Sequence, residues 1–341
     1  MKRMRGVVLK NTGNIDGLEM QPVEIPRLKA GEVLVRLHAS ALNHRDLWIV
    51  KGQYAKIRTP VILGSDGAGE VVDVADGIDR DWLNRRVVIN PGWDWGLDPR
   101  AQQRSFKILG MPDNGTQAEY VAVPLKYIVE KPSHLSWEEA AAIPLGGLTG
   151  YRALFSRGQL KPGETVLLTG IGGGVATLML QMAVAAGARV VVTSGSDAKI
   201  EAAKKLGALD GVLYTEPDWP EKVLELLNGE EPDLVVDSAG GKSFAELTGI
   251  VKPGGRIVFF GATTGLPDSL NLRQIFWKQI SILGTTMGNP LEFADMVRMF
   301  ERCQIRPVID KVFPLDMFKD AYKRMEKGGQ FGKIILACDL K

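Results

Sequence analysis

Two kinds of apolar pattern divide the chain. In the first third, short runs rich in Val, Leu, Ile and Tyr are separated by Gly, Pro, Asn and Asp. Strands are expected at 5–9, 32–40, 69–74, 86–90 and 118–123, with few helical patterns between them. In 32–40, Val33, Val35 and Leu37 alternate with Leu34, Arg36 and His38, giving one uniformly apolar face and one mixed face. Such a region reads as an antiparallel, barrel-like domain. From residue 165 the period changes. The apolar segment 165–169 is followed by Leu178, Met179, Met182, Ala183 and Ala186 at helical spacing. Strand 189–193, helix 198–206 and strand 211–214 come next, then a helix opened by a capping box at Asp218-Trp219-Pro220-Glu221. Strands 233–237, 256–260 and 280–283 complete an alternation that predicts a doubly wound parallel sheet. The tail offers an amphipathic helix (Phe293, Met296, Val297, Phe300), strand 308–313, a second helix and strand 333–337. These are too few for a third core, so they are expected to rejoin the first domain. The chain is therefore read as α/β: a β-barrel-type domain at 1–145, completed by 288–341, and a parallel-sheet domain at 146–287.

Composition narrows the function classes. The 341 residues are 45% apolar and 24% charged, with a net charge of +2. That balance gives no reason to expect nucleic acid or an acidic membrane surface as partner. No apolar run reaches the ~20 residues a membrane helix needs. The basic start runs into a short strand rather than a secretory h-region. Cys303 and Cys338 are the only cysteines and read as reduced core thiols. A cytoplasmic location is expected.

The strand 165–169 leads straight into Gly170-Ile171-Gly172-Gly173-Gly174-Val175-Ala176, which opens a helix. Small residues let backbone N–H groups approach a pyrophosphate, and the helix N-terminus adds partial positive charge. The spacing departs from Gly-x-Gly-x-x-Gly, with Ala176 where the last glycine would stand. The loop is expected to bind a nicotinamide dinucleotide. About 20 residues on, NAD enzymes place an acid for the ribose 2′-hydroxyl. Here Thr193 or Ser194 takes that place, and Lys199 follows. Hydroxyls and a lysine suit a 2′-phosphate, so NADP(H) is the expected cofactor. The alternative is that Lys199 merely solvates a helix face while Asp197 caps it.

Several segments carry a resemblance. They are 41–48 (Ala-Leu-Asn-His-Arg-Asp-Leu-Trp), 63–72 (Leu-Gly-Ser-Asp-Gly-Ala-Gly-Glu-Val-Val), 140–145, Thr149-Gly150-Tyr151, the glycine loop and 331–336. Together they resemble the medium-chain dehydrogenase/reductase superfamily, in its quinone oxidoreductase and zinc-alcohol-dehydrogenase-like group. The resemblance implies a GroES-like domain followed by a Rossmann domain. Zinc-dependent members hold catalytic zinc through a Cys, a His and a second Cys or Asp. The matching positions here are Asn43, Ser65 and Leu145, and Asp66 matches a neighbouring Glu. One carboxylate does not make the three-ligand site that catalytic zinc needs, so no metal is expected. The segment 90–114, matching the lobe that holds a structural zinc in relatives, contains no cysteine.

Without a metal as Lewis acid, a conjugated acceptor is the easier substrate, because charge from hydride addition spreads onto oxygen. The resemblance implies three catalytic candidates. Asn43 would orient ring or substrate, or else stabilise a turn. Tyr54 would donate a hydrogen bond or proton, or else serve as a core or lid aromatic. Asp46 would transfer a proton, or else cap a helix or pair with Arg45. It implies cofactor contacts at Thr149, Gly172, Gly173, Gly174, Val175, Thr193, Ser194, Lys199, Tyr214, Gly240, Gly261, Ala262, Thr263, Met287 and Lys333. The expected activity is NADPH-dependent reduction of a quinone, enone or aldehyde. A zinc-free alcohol or aldehyde dehydrogenase, and a protein that holds NADPH without turnover, are the alternatives. A homodimer through the edge strand near 280–283 is expected.

Overall fold

The computed structural model describes residues 2–338; Met1 and residues 339–341, at the two ends of the expected first domain, lie outside the described residues. The chain divides into two compact units, one made of the segments before 149 and after 287, the other of Thr149–Met287.

In the first unit the strand Glu32–Ala41 is the organising element. It pairs antiparallel with Asp66–Val74, with Tyr120–Pro124 and with Lys333–Ala337. Its alternating apolar residues Val33, Val35 and Leu37 enter one core with Val71, Val121, Val123, Phe313, Ile334 and Leu336. Burying each such side chain stabilises the fold by about 1.5–3 kcal/mol. Tail residues thus sit in the same core as the N-terminal strands. The edge strand Leu18–Glu24 pairs with Arg3–Leu9 and has no counterpart in the sequence reading. It contains Pro22 and several polar residues, which an edge strand tolerates because one side needs no ladder N–H.

Register decides where this unit's chemistry lies. Asp66 stands opposite Ala41 on one side of the central strand, and Ile335 stands opposite Ala41 on the other. The Leu42 N–H donates to the carbonyl of Ile334 at 3.0 Å. The end of Glu32–Ala41 and the starts of Asp66–Val74 and Lys333–Ala337 therefore meet at one edge, with Asn43 just beyond.

The second unit is a six-stranded parallel sheet. Its spatial order is Asp210–Leu213, Arg189–Ser194, Thr165–Leu168, Leu234–Asp237, Arg256–Phe259, Ser281–Gly284. This is the Rossmann arrangement, and its chain order reverses between Thr165–Leu168 and Leu234–Asp237. Val166, Leu167, Leu168, Val190, Val191, Val192, Leu234, Val235 and Val236 are all buried, which is why these strands read as continuous apolar runs. The helix Gly174–Ala185 buries Leu178, Met179, Leu180, Met182 and Ala183. The expected capping box at Asp218 does not form. That residue has φ −97° and ψ 19°, not extended backbone, and its carboxylate lies 3.2 Å from Lys222 Nζ instead. Among the described residues no helix is long and apolar enough to cross a membrane.

Candidate active site and nucleotide site

Asn43 ends the turn after the central strand and is the N-cap of the helix His44–Val50. The Asn43 backbone N–H donates to Asp46 Oδ2 at 2.9 Å, while the amide faces Asp66 and Lys333. Lys333 Nζ donates to the Leu42 carbonyl (2.9 Å), Asn43 Oδ1 (2.8 Å) and Asp66 Oδ2 (2.7 Å). Asn43 Nδ2 donates to the same Asp66 Oδ2 at 2.9 Å, and Asp66 Oδ1 accepts from the Leu145 N–H at 2.7 Å. Lys333 is 4% exposed and Asp66 is fully buried.

Lys333 is one of the expected cofactor contacts. An ammonium has three hydrogens, and in this structure all three are directed at acceptors of the first unit. Asp46 shows the capping role expected as the alternative to proton transfer: it is fully buried and accepts the Asn43 N–H at the helix start. Burial pushes its pKa up to about 6, against the opposing influence of Arg45 and the Asn43 N–H.

That shift has a testable sign. The folded state holds the Asp46 proton more tightly than the unfolded chain does. Protonation therefore favours the fold, and stability falls as pH rises from about 4 through 6, by up to about 3 kcal/mol. Asp46→Asn should remove this dependence while leaving an oxygen to accept the Asn43 N–H. Urea unfolding at pH 4.5 and pH 8 should find the variant gaining on the wild type at the higher pH. An equal difference at both pH values would contradict the shift.

Arg45 lies on the other side of this cluster. Its Nη1 donates to Ser65 Oγ at 2.6 Å and to the Leu109 carbonyl at 3.1 Å, and Ser65 Oγ donates to the same carbonyl at 2.7 Å. The half-buried Tyr54 ring covers the guanidinium, 5.2 Å from centroid to Cζ. The structure thus links Asn43 to Asp66 and Tyr54 to Arg45, with Arg45 joined to Ser65 beside Asp66. The sequence reading did not single out Arg45 or the Lys333–Asp66 pair as a unit. Tyr322, fully buried, bonds Gln117 through its hydroxyl. Burial first, then the Asp46 charge, raises its pKa well above the ordinary value. His44 keeps a solvent-open face, yet crowding by protein, and then the Lys333 charge, hold its pKa below the usual histidine value.

Zinc does not fit this donor set. Ser65 is bonded to Arg45 and Leu109, and Leu145 offers a backbone N–H, a donor rather than a ligand. An ammonium stands where a cation would have to meet Asp66. Among the described residues no group of three or more His, Cys, Asp or Glu could hold a metal. In the segment matching the zinc lobe, Trp93 and Trp95 are buried, Trp93 stacking on Tyr127.

In the second unit the loop after Thr165–Leu168 fits a dinucleotide. Gly173 is the N-cap of Gly174–Ala185 and has no side chain to cap the first-turn N–H groups. A β-carbon at Gly170 or Gly173 would meet nothing within 4 Å, so the space before the helix is open. Gly172 has φ +129°, and a β-carbon there would come within 2.8 Å of the Lys199 side chain, which folds back over the loop. Val175 follows in the first turn, half-buried.

Two hydroxyls expected to meet a 2′-phosphate are buried. Thr193 Oγ1 accepts from the Gly170 N–H at 3.1 Å, and Ser194 Oγ accepts from the Ser196 N–H at 3.2 Å. They brace the loops. Lys199 and Tyr214 remain near this corner, with the Tyr214 hydroxyl packed over Gly195. The loops after the fourth and fifth strands join each other. Thr264 N–H donates to the Ala239 carbonyl (2.9 Å), Gly241 N–H to that of Gly265 (2.8 Å) and Thr263 N–H to that of Ser238 (3.4 Å). Gly240, Gly261 and Ala262 lie within this group, at the sheet's carboxyl edge. The reading missed Asp237, which accepts from Thr169 Oγ1 (2.5 Å) and the Gly240 N–H (2.7 Å) and so ties two of these loops together. Burial raises its pKa despite those bonds. Thr149 and Met287, the first and last residues of the unit, touch, hydroxyl to sulfur, at 3.9 Å.

Known proteins match this architecture along its length. The family described as alcohol dehydrogenase GroES-like domain matches residues 29–133, and that described as zinc-binding dehydrogenase matches 174–302. A zinc-type alcohol dehydrogenase-like protein of Schizosaccharomyces pombe is 36% identical over 345 residues, covering 98% of this chain and 99% of its own. The acryloyl-coenzyme A reductase of Metallosphaera sedula is 29% identical over 340 residues, covering 98% and 99%. A solved structure described as an NAD-dependent alcohol dehydrogenase superposes with a TM-score of 0.93 at 38% identity, covering 98% of this chain and 100% of that one. With a GroES-like unit, a Rossmann unit and relatives aligned over nearly its whole length, the chain is an oxidoreductase that belongs to the medium-chain dehydrogenase/reductase superfamily.

Proposed function

We propose that this protein is an NADPH-dependent reductase that passes a hydride to a quinone or an α,β-unsaturated carbonyl without a catalytic metal. The observation that carries the reading is the Lys333–Asp66–Asn43 cluster, which leaves the zinc positions of the family without a ligand set. When bound, the nicotinamide supplies the hydride. The chain's residues supply position and charge. The first turn of Gly174–Ala185 receives the pyrophosphate. Asn43 and Tyr54 supply hydrogen-bond donors for oxygen charge that develops on the acceptor. The name acryloyl-coenzyme A reductase, borne by a relative over its full length, fits a conjugated acceptor. Assays with a quinone, an enone, an aldehyde and a simple alcohol separate the possibilities. Tyr54→Phe should cut turnover at least about 10-fold with little change in cofactor affinity; equal turnover would remove Tyr54 from the mechanism.

Cofactor choice rests on Lys199 and on the lack of an acid at Thr193–Ser194. Lys199→Ala should weaken NADPH about 10-fold or more while leaving NADH nearly unchanged. Titration of both cofactors against both proteins checks this, and a parallel loss for the two cofactors would contradict it. A second reading, an NAD-dependent alcohol dehydrogenase, is favoured by the name of the solved structure at 38% identity and by the inward-facing hydroxyls of Thr193 and Ser194. Clearly tighter NADH than NADPH binding would select it.

We also propose a homodimer built on the edge strand Ser281–Gly284. Among the described residues that strand has one neighbour in its sheet, and the adjoining helix Leu272–Lys278 carries exposed Leu272, Phe276 and Trp277. The low cysteine content, Cys303 and Cys338 in 341 residues, suits a reducing compartment such as the cytoplasm.

A further inference from the structure

We propose that Lys333 and Asp66 are positioning residues that fix the Asn43 amide and leave its one remaining N–H as the donor to the substrate's carbonyl oxygen. The proposal rests on the reductase reading above. Three bonds determine the amide's orientation. A cation must face the amide oxygen and a carboxylate must face its nitrogen, so Oδ1 toward Lys333 Nζ (2.8 Å) and Nδ2 toward Asp66 Oδ2 (2.9 Å) is the one chemically consistent assignment. The third side of the triangle, Lys333 Nζ to Asp66 Oδ2 at 2.7 Å, keeps the two partners in place.

Asp66 is in turn held by the Leu145 N–H on Oδ1, and Lys333 by the Leu42 carbonyl. Every hydrogen of the ammonium is committed. Both carboxylate oxygens are engaged. What remains on the amide is a single Nδ2 hydrogen, on a side chain that is 7% exposed. The hydrogen that the cluster leaves uncommitted is a donor, which suits a substrate oxygen bearing lone pairs. The Lys333 charge beside Oδ1 also draws electron density from the amide and strengthens that N–H as a donor. Lys333 and Asp66 neutralise each other, so the group meeting a developing negative oxygen is neutral and already oriented.

The test combines a spectrum with a double-mutant cycle. In 15N-labelled protein, the Asn43 side-chain NH2 pair, identified by its loss in Asn43→Ala, should show two well-separated proton shifts in wild type. In Lys333→Met the pair should collapse toward the shifts of a free amide. Where Lys333→Met fails to fold, the neutral pair Lys333→Met/Asp66→Asn takes its place. An unchanged Asn43 resonance pair in the folded variant would overturn the positioning role, whatever the activity. The kinetic arm uses NADPH and an enone. Asn43→Ala should lower kcat about 100-fold, and Lys333→Met about 10-fold with NADPH affinity retained and partial recovery in Lys333→Arg. In the Asn43→Ala background the Lys333 substitution should cost less than about 2-fold, because its effect passes through the amide. Multiplicative losses would overturn the proposal. Absence of wild-type turnover with every acceptor would instead defeat the reductase reading, and the spectrum would still decide the positioning.

Discussion

Lys333→Met should lower unfolding stability by about 3–5 kcal/mol, the usual loss when one member of a buried ion pair is removed. Asp66 is fully buried, and its remaining partners are two neutral donors, the Asn43 amide and the Leu145 N–H. Neither offsets the desolvation of a full negative charge. The paired substitution Lys333→Met/Asp66→Asn should recover most of the loss, since a neutral, hydrogen-bonded replacement no longer buries a charge. Urea unfolding at pH 7 measures all three proteins under one condition. A loss below about 1 kcal/mol for Lys333→Met would mean that water or another cation reaches Asp66. The result bears on function because the same ammonium orients Asn43.

Gly172→Val should reduce cofactor affinity by about 100-fold or more. The residue sits at φ +129°, where a β-branched side chain is strained by about 1–3 kcal/mol. The new β-carbon would also run into Lys199. The loop must then shift, and the N–H groups at the start of Gly174–Ala185 lose their alignment toward a pyrophosphate. Titration with NADPH, followed by cofactor fluorescence, checks this. Affinity within about 3-fold of wild type would contradict the placement of the cofactor on this loop. The core of the first unit should be untouched, so the two substitutions separate stability from cofactor binding.

How much of this was legible in the sequence depended on how local each feature is. The parallel strands were readable because burial on both faces makes Val166–Leu168, Val190–Val192 and Leu234–Val236 uniformly apolar. The glycine loop was readable because strand, turn and helix start are contiguous. The edge strand Leu18–Glu24 was missed because Pro22 and its polar neighbours suppress the strand pattern, and the turn of π-helix at Arg152–Arg157 left no mark in the residue types. The Lys333–Asp66–Asn43 cluster was the least legible. Asn43, Asp66 and Lys333 were each noticed, yet Lys333 joins the others only through the pairing of Ile335 with Ala41, a register no local pattern encodes. Thr193 and Ser194 show the converse failure. Their position after the second strand was foreseen, but the direction of their hydroxyls, set by bonds to the Gly170 and Ser196 N–H groups, was not.

The most direct test of the account is NADPH oxidation by an enone, followed on protein exhaustively treated with a chelator and assayed for zinc in the same sample. Undiminished turnover with zinc well below one per chain is the expected result. Turnover that disappears on chelation and returns with added zinc, or NADPH that is bound but never oxidised by any quinone, enone or aldehyde, would contradict it.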